Sequence, residues 1–269
     1  MKVKNETVIL VLSFIIALIS GGTSLIGGFS ENFYSKENLN WQVQSITQDY
    51  INLFIVLILL FSAWMNFKKK KYGQFMWVGT ILYLIYTYLI YCFDVHFNEL
   101  FTFYCIILGL CFYSLLYFLY SQRCSSLPGL TNSKMNKIIG WYFLFISVLF
   151  YFLWLSDIIK ATVSSQTPSG LNEINIPTNP VHVIDLSVFL PGTFITGILT
   201  LQNKPIGHWL SPVILTFFIL MDVTICIINL AMVQKNITNQ ESISVIMIVF
   251  AFISLFLLIS NMRTIKFEQ

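Results

Sequence analysis

The side chains of this sequence that could carry out chemistry lie near one end of its long apolar segments. Ionisable groups are costly to keep beside hydrocarbon, so those that are kept there are candidates for function. Imidazole and carboxylate groups together suit Zn²⁺ or another first-row divalent ion. The pattern therefore predicts a cation or metal site. Its candidate ligands are His96, His182, Asp185, Asp49, Asp94 and Asp157.

Two short segments carry the histidines of this predicted site. Asp94 and His96 belong to DVHFNE, a tight turn between two apolar segments. His182 and Asp185 belong to NPVHVID, which opens a later segment, and their spacing places them on one helix face. They could bind one ion together, or the carboxylate could orient the imidazole. In each segment, the alternative is that these side chains make a hydrogen bond that only stabilises the local fold. The sequence does not decide between a functional and a structural role.

Three further aspartates stand alone in the sequence. Asp49 opens the second apolar segment, where it would also interact favourably with the helix dipole. Asp157 ends the fifth segment, where the dipole is unfavourable, so we expect a partner such as Lys160 or a bound cation. Asp222 lies deep in the seventh segment, with Asn229 two turns further along the same face. An aspartate at that depth should face the protein interior, either protonated or partnered.

Composition determines the kind of element that positions these groups. Of the 269 residues, 57% are hydrophobic and 10% are charged, whereas about a quarter of the residues in a soluble domain are charged. Many apolar runs reach the ~20 residues with which a helix crosses a bilayer. We therefore predict an all-α, polytopic membrane helix bundle that forms a single transmembrane domain over residues 1–269. The eight predicted spans are 7–29, 49–67, 73–93, 98–120, 138–159, 181–202, 209–233 and 242–262.

The distribution of basic residues predicts the orientation of these spans. With the N-terminus in the cytoplasm, 12 of the 15 Lys and Arg residues fall on the cytoplasmic side and three fall outside. Cytoplasmic loops carry such an excess, so both termini are predicted to be cytoplasmic. The Lys-, Asn- and Ile-rich composition predicts a bacterial source, and the protein is expected in the cell membrane. The net charge of +3 thus indicates orientation within a lipid bilayer and not a nucleic-acid partner. The candidate ligands then lie at the extracytoplasmic ends of the spans.

Absent motifs, glycine pairs and one long loop give further indications of the kind of protein. The sequence has no H-E-x-x-H, no G-x-S-x-G and no glycine-rich phosphate loop, and its five cysteines form no C-x-x-C pair, so we expect no disulfide framework. In the first span, Gly21-Gly22 and Gly27-Gly28 favour close helix packing. The outer connection 164–180, rich in Ser, Pro, Asn and Gly, is predicted to be irregular, either as a lid or as a slack linker.

Three strings of the sequence, QDYINLFIVLILL, YCFDVHFNELF and NPVHVIDLSVFLPG, together resemble a family of bacterial multi-pass integral membrane proteins without an assigned function. The resemblance covers most of the second to seventh spans. It implies a fold of packed transmembrane helices and assigns no role to any residue.

Three classes of function fit these observations. The favoured one is an extracytoplasmic His/Asp site that binds a cation or a metal such as Zn²⁺, with hydrolysis of a lipid or exported substrate as an extension. The second is a small transporter or channel that uses Asp222, although the inner halves of the spans hold few ionisable groups. The third is a non-catalytic sensor, immunity or assembly subunit. The ligand at the outer face is then an ion, a small molecule, a lipid or a protein.

Overall fold

Eight helices, each long and apolar enough to cross a membrane, dominate the part of the chain that the computed structural model describes, namely residues 5–70, 72–121, 133–168, 171 and 178–264. No strand occurs within these residues. The protein is therefore an all-α, multi-pass integral membrane protein, as the sequence predicts. The helices are α1 (Asn5–Phe29), α2 (Leu39–Phe67), α3 (Gly73–Asp94), α4 (Phe101–Ser121), α5 (Ser133–Ser164), α6 (Pro180–Leu201), α7 (Pro205–Gln234) and α8 (Glu241–Thr264).

The start of α2 differs most from the predicted spans. The helix begins at Leu39 and not at residue 49, because Asn38 caps it by accepting a hydrogen bond from the Trp41 N–H at 2.8 Å. The first three turns are polar, so hydropathy alone predicts a loop there. Asp49 consequently lies well inside the helix, where the favourable dipole interaction of a helix start no longer applies.

The chain divides into two compact units. The first comprises Met1–Ser126 and Leu215–Ile259, and the second comprises Leu127–Ile214 and Ser260–Gln269. The first unit thus contains α1 to α4 with most of α7 and α8, while the second contains α5, α6, the start of α7 and the end of α8. The single domain over residues 1–269 stays a prediction.

Helix α3 occupies the centre of the first unit. It packs against α2 and α4, and two thirds of its most apolar stretch is buried, the largest share among the spans. Hydrogen bonds tie it to neighbouring helices. The Trp77 indole donates to the Ser13 hydroxyl at 2.7 Å, and the Tyr83 hydroxyl bonds with that of Thr224 at 2.8 Å. Such bonds hold membrane helices together because lipid supplies little hydrophobic drive between them.

Helices α5 and α6 pair closely in the second unit. A Cβ atom added at Gly140 would lie 3.0 Å from the backbone oxygen of Gly197, so two glycines meet where the helices touch. Further toward its start, α6 contains a π-helical segment, Asp185–Phe189, in which the Leu190 N–H bonds to the Asp185 carbonyl. Pro191 lies two residues after this segment and has no backbone N–H to donate within the helix. π-helical segments inside α-helices frequently occur at functional sites.

The predicted orientation can be tested with one cysteine placed at each end of the spans. In a cysteine-free background, Lys235→Cys and Lys70→Cys both replace exposed lysines outside the helices. The excess of basic residues near Lys70 places it inside. On intact cells, a membrane-impermeant maleimide should label the Lys235→Cys protein. It should label the Lys70→Cys protein only after the membrane is opened. The reverse pattern would invert the topology.

Candidate functional site

The predicted ligands divide between the two units. Within the described residues, no group of three His, Cys, Asp or Glu side chains is arranged so that it could hold a metal ion. The six residues therefore do not form a closed multi-ligand cage there. The first unit contains Asp49, Asp94 and His96, and the second contains Asp157, His182 and Asp185.

In the first unit, the turn after α3 closes over a buried glutamate that the sequence did not single out. Glu37, in the connection between α1 and α2, has a side chain only 3% exposed. One of its carboxyl oxygens accepts the His96 backbone N–H at 2.7 Å, and the other lies 2.8 Å from His96 Nδ1. The imidazole itself is half exposed. A buried carboxylate thus holds a surface histidine at two points.

This pairing decides which ring nitrogen of His96 is available. When the Glu37 carboxylate accepts the Nδ1 proton, Nε2 carries a free lone pair. Carboxylates orient metal-binding histidines in the same manner, by fixing the tautomer and raising ligand basicity. The arrangement therefore presents one oriented imidazole nitrogen at the end of the unit that is predicted to face outward.

Asp94 adds a second buried carboxyl group beside this pair. It is the last residue of α3, its side chain is buried, and its Oδ1 has no hydrogen-bond partner. It interacts electrostatically with Glu37, and the carbonyl groups at a helix C-terminus add partial negative charge. The nearby Lys36 ammonium donates to the Phe97 carbonyl at 2.8 Å. A cation bound close by would relieve the cost of burying the Asp94 and Glu37 carboxyl groups.

Asp49 makes its own contacts in the same unit. Its carboxyl oxygens accept hydrogen bonds from the hydroxyls of Tyr34 at 2.6 Å and Tyr91 at 2.9 Å, and all three side chains are buried. Burial, followed by the nearby Asp49 carboxyl, raises the pKa of Tyr34, so its phenol stays protonated and keeps donating. Through these two bonds Asp49 links the 30–38 connection, α2 and α3. Because both of its oxygens already accept hydrogen bonds, Asp49 is less suited to bind a metal.

The second unit holds the other predicted ligands around an unforeseen tryptophan. The Trp154 indole donates to Asp185 Oδ2 at 2.9 Å, and its ring lies 4.5 Å from that of His182, measured between centroids. The exposed Asp157 interacts electrostatically with His182, where the sequence suggested a partner such as Lys160 or a bound cation. Trp154 therefore contacts both members of the predicted His182–Asp185 pair and occupies one of the two Asp185 carboxylate oxygens.

An open apolar groove lies on the same pair of helices. Tyr151, Pro191, Phe194 and Ile195 line a volume of about 330 Å³, near the lower end of the ~300–1,000 Å³ range of ligand pockets. The Tyr151 hydroxyl also reaches the Leu186 carbonyl of the π segment at 3.5 Å. The lining offers little polar surface, so the groove is not suited to binding a metal ion.

The two polar residues predicted inside α7 differ in their surroundings. Asp222 is buried and its Oδ2 has no hydrogen-bond partner, as the sequence leads one to expect of an interior aspartate. The Asn229 amide donates to the Gln240 carbonyl at 3.0 Å and to the Ser244 hydroxyl at 2.8 Å. Asn229 therefore joins α7 to the start of α8, which leaves Asp222 as the member of the pair with unused capacity.

Comparisons of the chain with protein-family models, with curated proteins and with solved structures find no match. The family resemblance of the three sequence strings therefore stays a prediction.

The close approach of α1 to Asp49 can be tested with two glycines of the same helix. A Cβ atom at Gly27 would collide with the Asp49 carboxyl and the Tyr34 hydroxyl, whereas one at Gly21 would meet nothing within 4 Å. We expect Gly27→Ala to destabilise the protein by about 1–3 kcal/mol through overpacking. Gly21→Ala should be neutral or stabilising, because alanine favours a helix by up to ~1 kcal/mol.

Thermal unfolding of both variants in the same detergent measures this difference. Equal melting temperatures for the Gly27→Ala and Gly21→Ala proteins would contradict the close packing of α1 against the Asp49 carboxyl.

Proposed function

We propose that this integral membrane protein binds a divalent transition-metal cation at the predicted extracytoplasmic end of its first unit. His96 Nε2 is the protein ligand, Glu37 orients it, and Asp94 attracts the cation. The observation that carries the proposal is the double attachment of His96 to the buried Glu37 carboxylate, through the backbone N–H and through Nδ1.

The ligand chemistry supports a metal of the zinc class. A neutral imidazole binds Zn²⁺, Cu²⁺ or Ni²⁺ better than it binds Mg²⁺ or Ca²⁺. Since no trio of metal-binding side chains gathers in the described part of the chain, the remaining coordination positions belong to water or to an external ligand. The site is therefore an open one, suited to reversible binding and not to permanent retention of a structural metal.

The electrostatic surroundings support the same proposal. The Asp94 carboxyl is buried close enough to Glu37 for the two to interact, and one of its oxygens is unpartnered. An opposite charge nearby favours the ionised form of a buried carboxyl group, so a bound cation and the Asp94 carboxylate would stabilise each other. Asp94 thus contributes affinity by attracting the cation, without the need for a direct bond.

Hydrolysis is the less supported extension of this function. A catalytic zinc normally has three protein ligands and one water, whose pKa it lowers. The described residues bring no such three together. Binding at the outer end would serve a sensor or an assembly subunit equally well, so we propose binding as the function and not turnover.

The proposal predicts a specific order of affinities. Purified protein in nanodiscs, titrated with Zn²⁺ in a calorimeter, should bind one ion, and His96→Ala should remove that binding. Glu37→Gln should weaken it by roughly 10–100-fold, the usual effect of losing a group that orients a metal ligand. Two variants serve as controls and should bind as the parent protein does: Glu99→Gln, an exposed carboxylate in the same turn, and His182→Ala, in the second unit.

Three results would overturn the proposal. The first is the absence of Zn²⁺ binding to the parent protein, and the second is equal binding by the parent and His96→Ala proteins. The third is loss of binding in His182→Ala, because the site would then not be confined to the first unit. Each variant must retain the parent's elution volume and helical circular dichroism.

Transport is a second candidate because Asp222 is a buried carboxyl with an unpartnered oxygen within a spanning helix. In sealed vesicles, metal or proton flux that is lost in Asp222→Asn but retained in Glu241→Gln would support it. Glu241 is an exposed carboxylate at the start of α8 and so provides the matched control. Flux equal to that of protein-free vesicles would leave binding as the function.

A further inference from the structure

Two cysteines face each other across the turn that carries His96. Cys92 lies near the end of α3 and Cys105 in the second turn of α4, 13 positions later in the chain. Their sulfur atoms are 4.0 Å apart. The sequence offers no hint of this pair, because residues so separated meet only when α3 and α4 pack side by side, which they do.

The pair differs from the other cysteines that the structure describes. Cys111 and Cys226 are buried, whereas Cys92 is half buried and Cys105 is exposed. Cys124 lies outside the described residues. Cys105 is therefore exposed at the protein surface, at the end of α4 that is predicted to face outward, and the Cys92 sulfur lies next to it.

We propose that Cys92 and Cys105 form a reversible disulfide bond. The two sulfurs must close from 4.0 Å to the ~2.05 Å of an S–S bond. The connection between α3 and α4, residues 95–100, is short, and both sulfurs lie close to it. The bond would join two helices that already pack together, and the two sulfurs are close enough for small side-chain movements to bring them together.

The bond forms by thiol–disulfide exchange. The Cys105 thiolate attacks a small external disulfide, forming a mixed disulfide and releasing one thiol. The Cys92 thiolate then displaces the second external thiol. The protein loses two protons and two electrons, and the external disulfide is reduced to two thiols. This end of the first unit is predicted to be extracytoplasmic, the compartment in which disulfides persist.

The cross-link would restrain the turn that carries the proposed metal ligand. Residues 93–104 become a closed loop, and this loop contains both Asp94 and His96. A closed loop has fewer unfolded conformations, so the oxidised protein should unfold at a higher temperature. An effect of oxidation on Zn²⁺ affinity rests on the proposed function, but the disulfide itself does not.

Oxidised glutathione, added to the purified full-length protein in nanodiscs, tests the disulfide directly. After free thiols are blocked with iodoacetamide, unreduced digests should contain a Cys92–Cys105 cross-linked peptide that is two hydrogen atoms lighter than the sum of its parts. Dithiothreitol should abolish the peptide. The melting temperature of the parent protein should rise on oxidation, and that of Cys105→Ser should not.

Cys111→Ser serves as the matched control and should still form the cross-linked peptide. Glutathione adducts on Cys105 without the cross-linked peptide would overturn the proposal, as would full alkylation of both cysteines after oxidation. Because the readout is peptide mass and not metal binding, its failure is distinguishable from failure of the metal site.

Discussion

The cost of burying carboxylates beside hydrocarbon governs the end of the first unit that is predicted to face outward. A charge removed from water must find a hydrogen-bonding partner, an opposite charge or a proton. Asp49 meets this demand with two tyrosine hydroxyls, and Glu37 meets it with the backbone and ring of His96. Each solution also fixes the position of the group that provides it.

The connection between α1 and α2 gains its order from these two carboxylates. Tyr34 reaches Asp49 on α2, and Glu37, three residues later, reaches His96 beyond α3. Lys36, between them in sequence, adds its bond to the Phe97 carbonyl. A segment of nine residues between two spans is thereby attached to two other parts of the unit. The position of His96 depends on this attachment, and the proposed ligand depends in turn on the position of His96.

Much of the fold follows from composition and periodicity. The helical class and the eight apolar spans of the described residues are confirmed, because long apolar runs leave a chain little choice but membrane-spanning helices. The predicted start of α2 was wrong by about three turns, because a polar first part of a capped helix resembles a loop on a hydropathy scale.

The partners of the polar groups could not be predicted. Glu37 and Trp154 lie in segments without a distinguishing motif, and their contacts with His96 and Asp185 join residues 59 and 31 positions apart. Such pairings depend on how helices pack and on where a connection folds back. The sequence therefore indicated that His96 and His182 were worth attention, but it could not show that they belong to different compact units.

The most direct test of the proposed metal site is X-ray absorption spectroscopy at the zinc edge on the Zn²⁺-loaded protein. An open site on His96 predicts a single imidazole nitrogen at about 2.0–2.1 Å, with oxygen atoms in the remaining positions. Two or more imidazoles, or a sulfur at about 2.3 Å, would contradict it, because the metal would then be held by residues other than the oriented His96 and its surroundings.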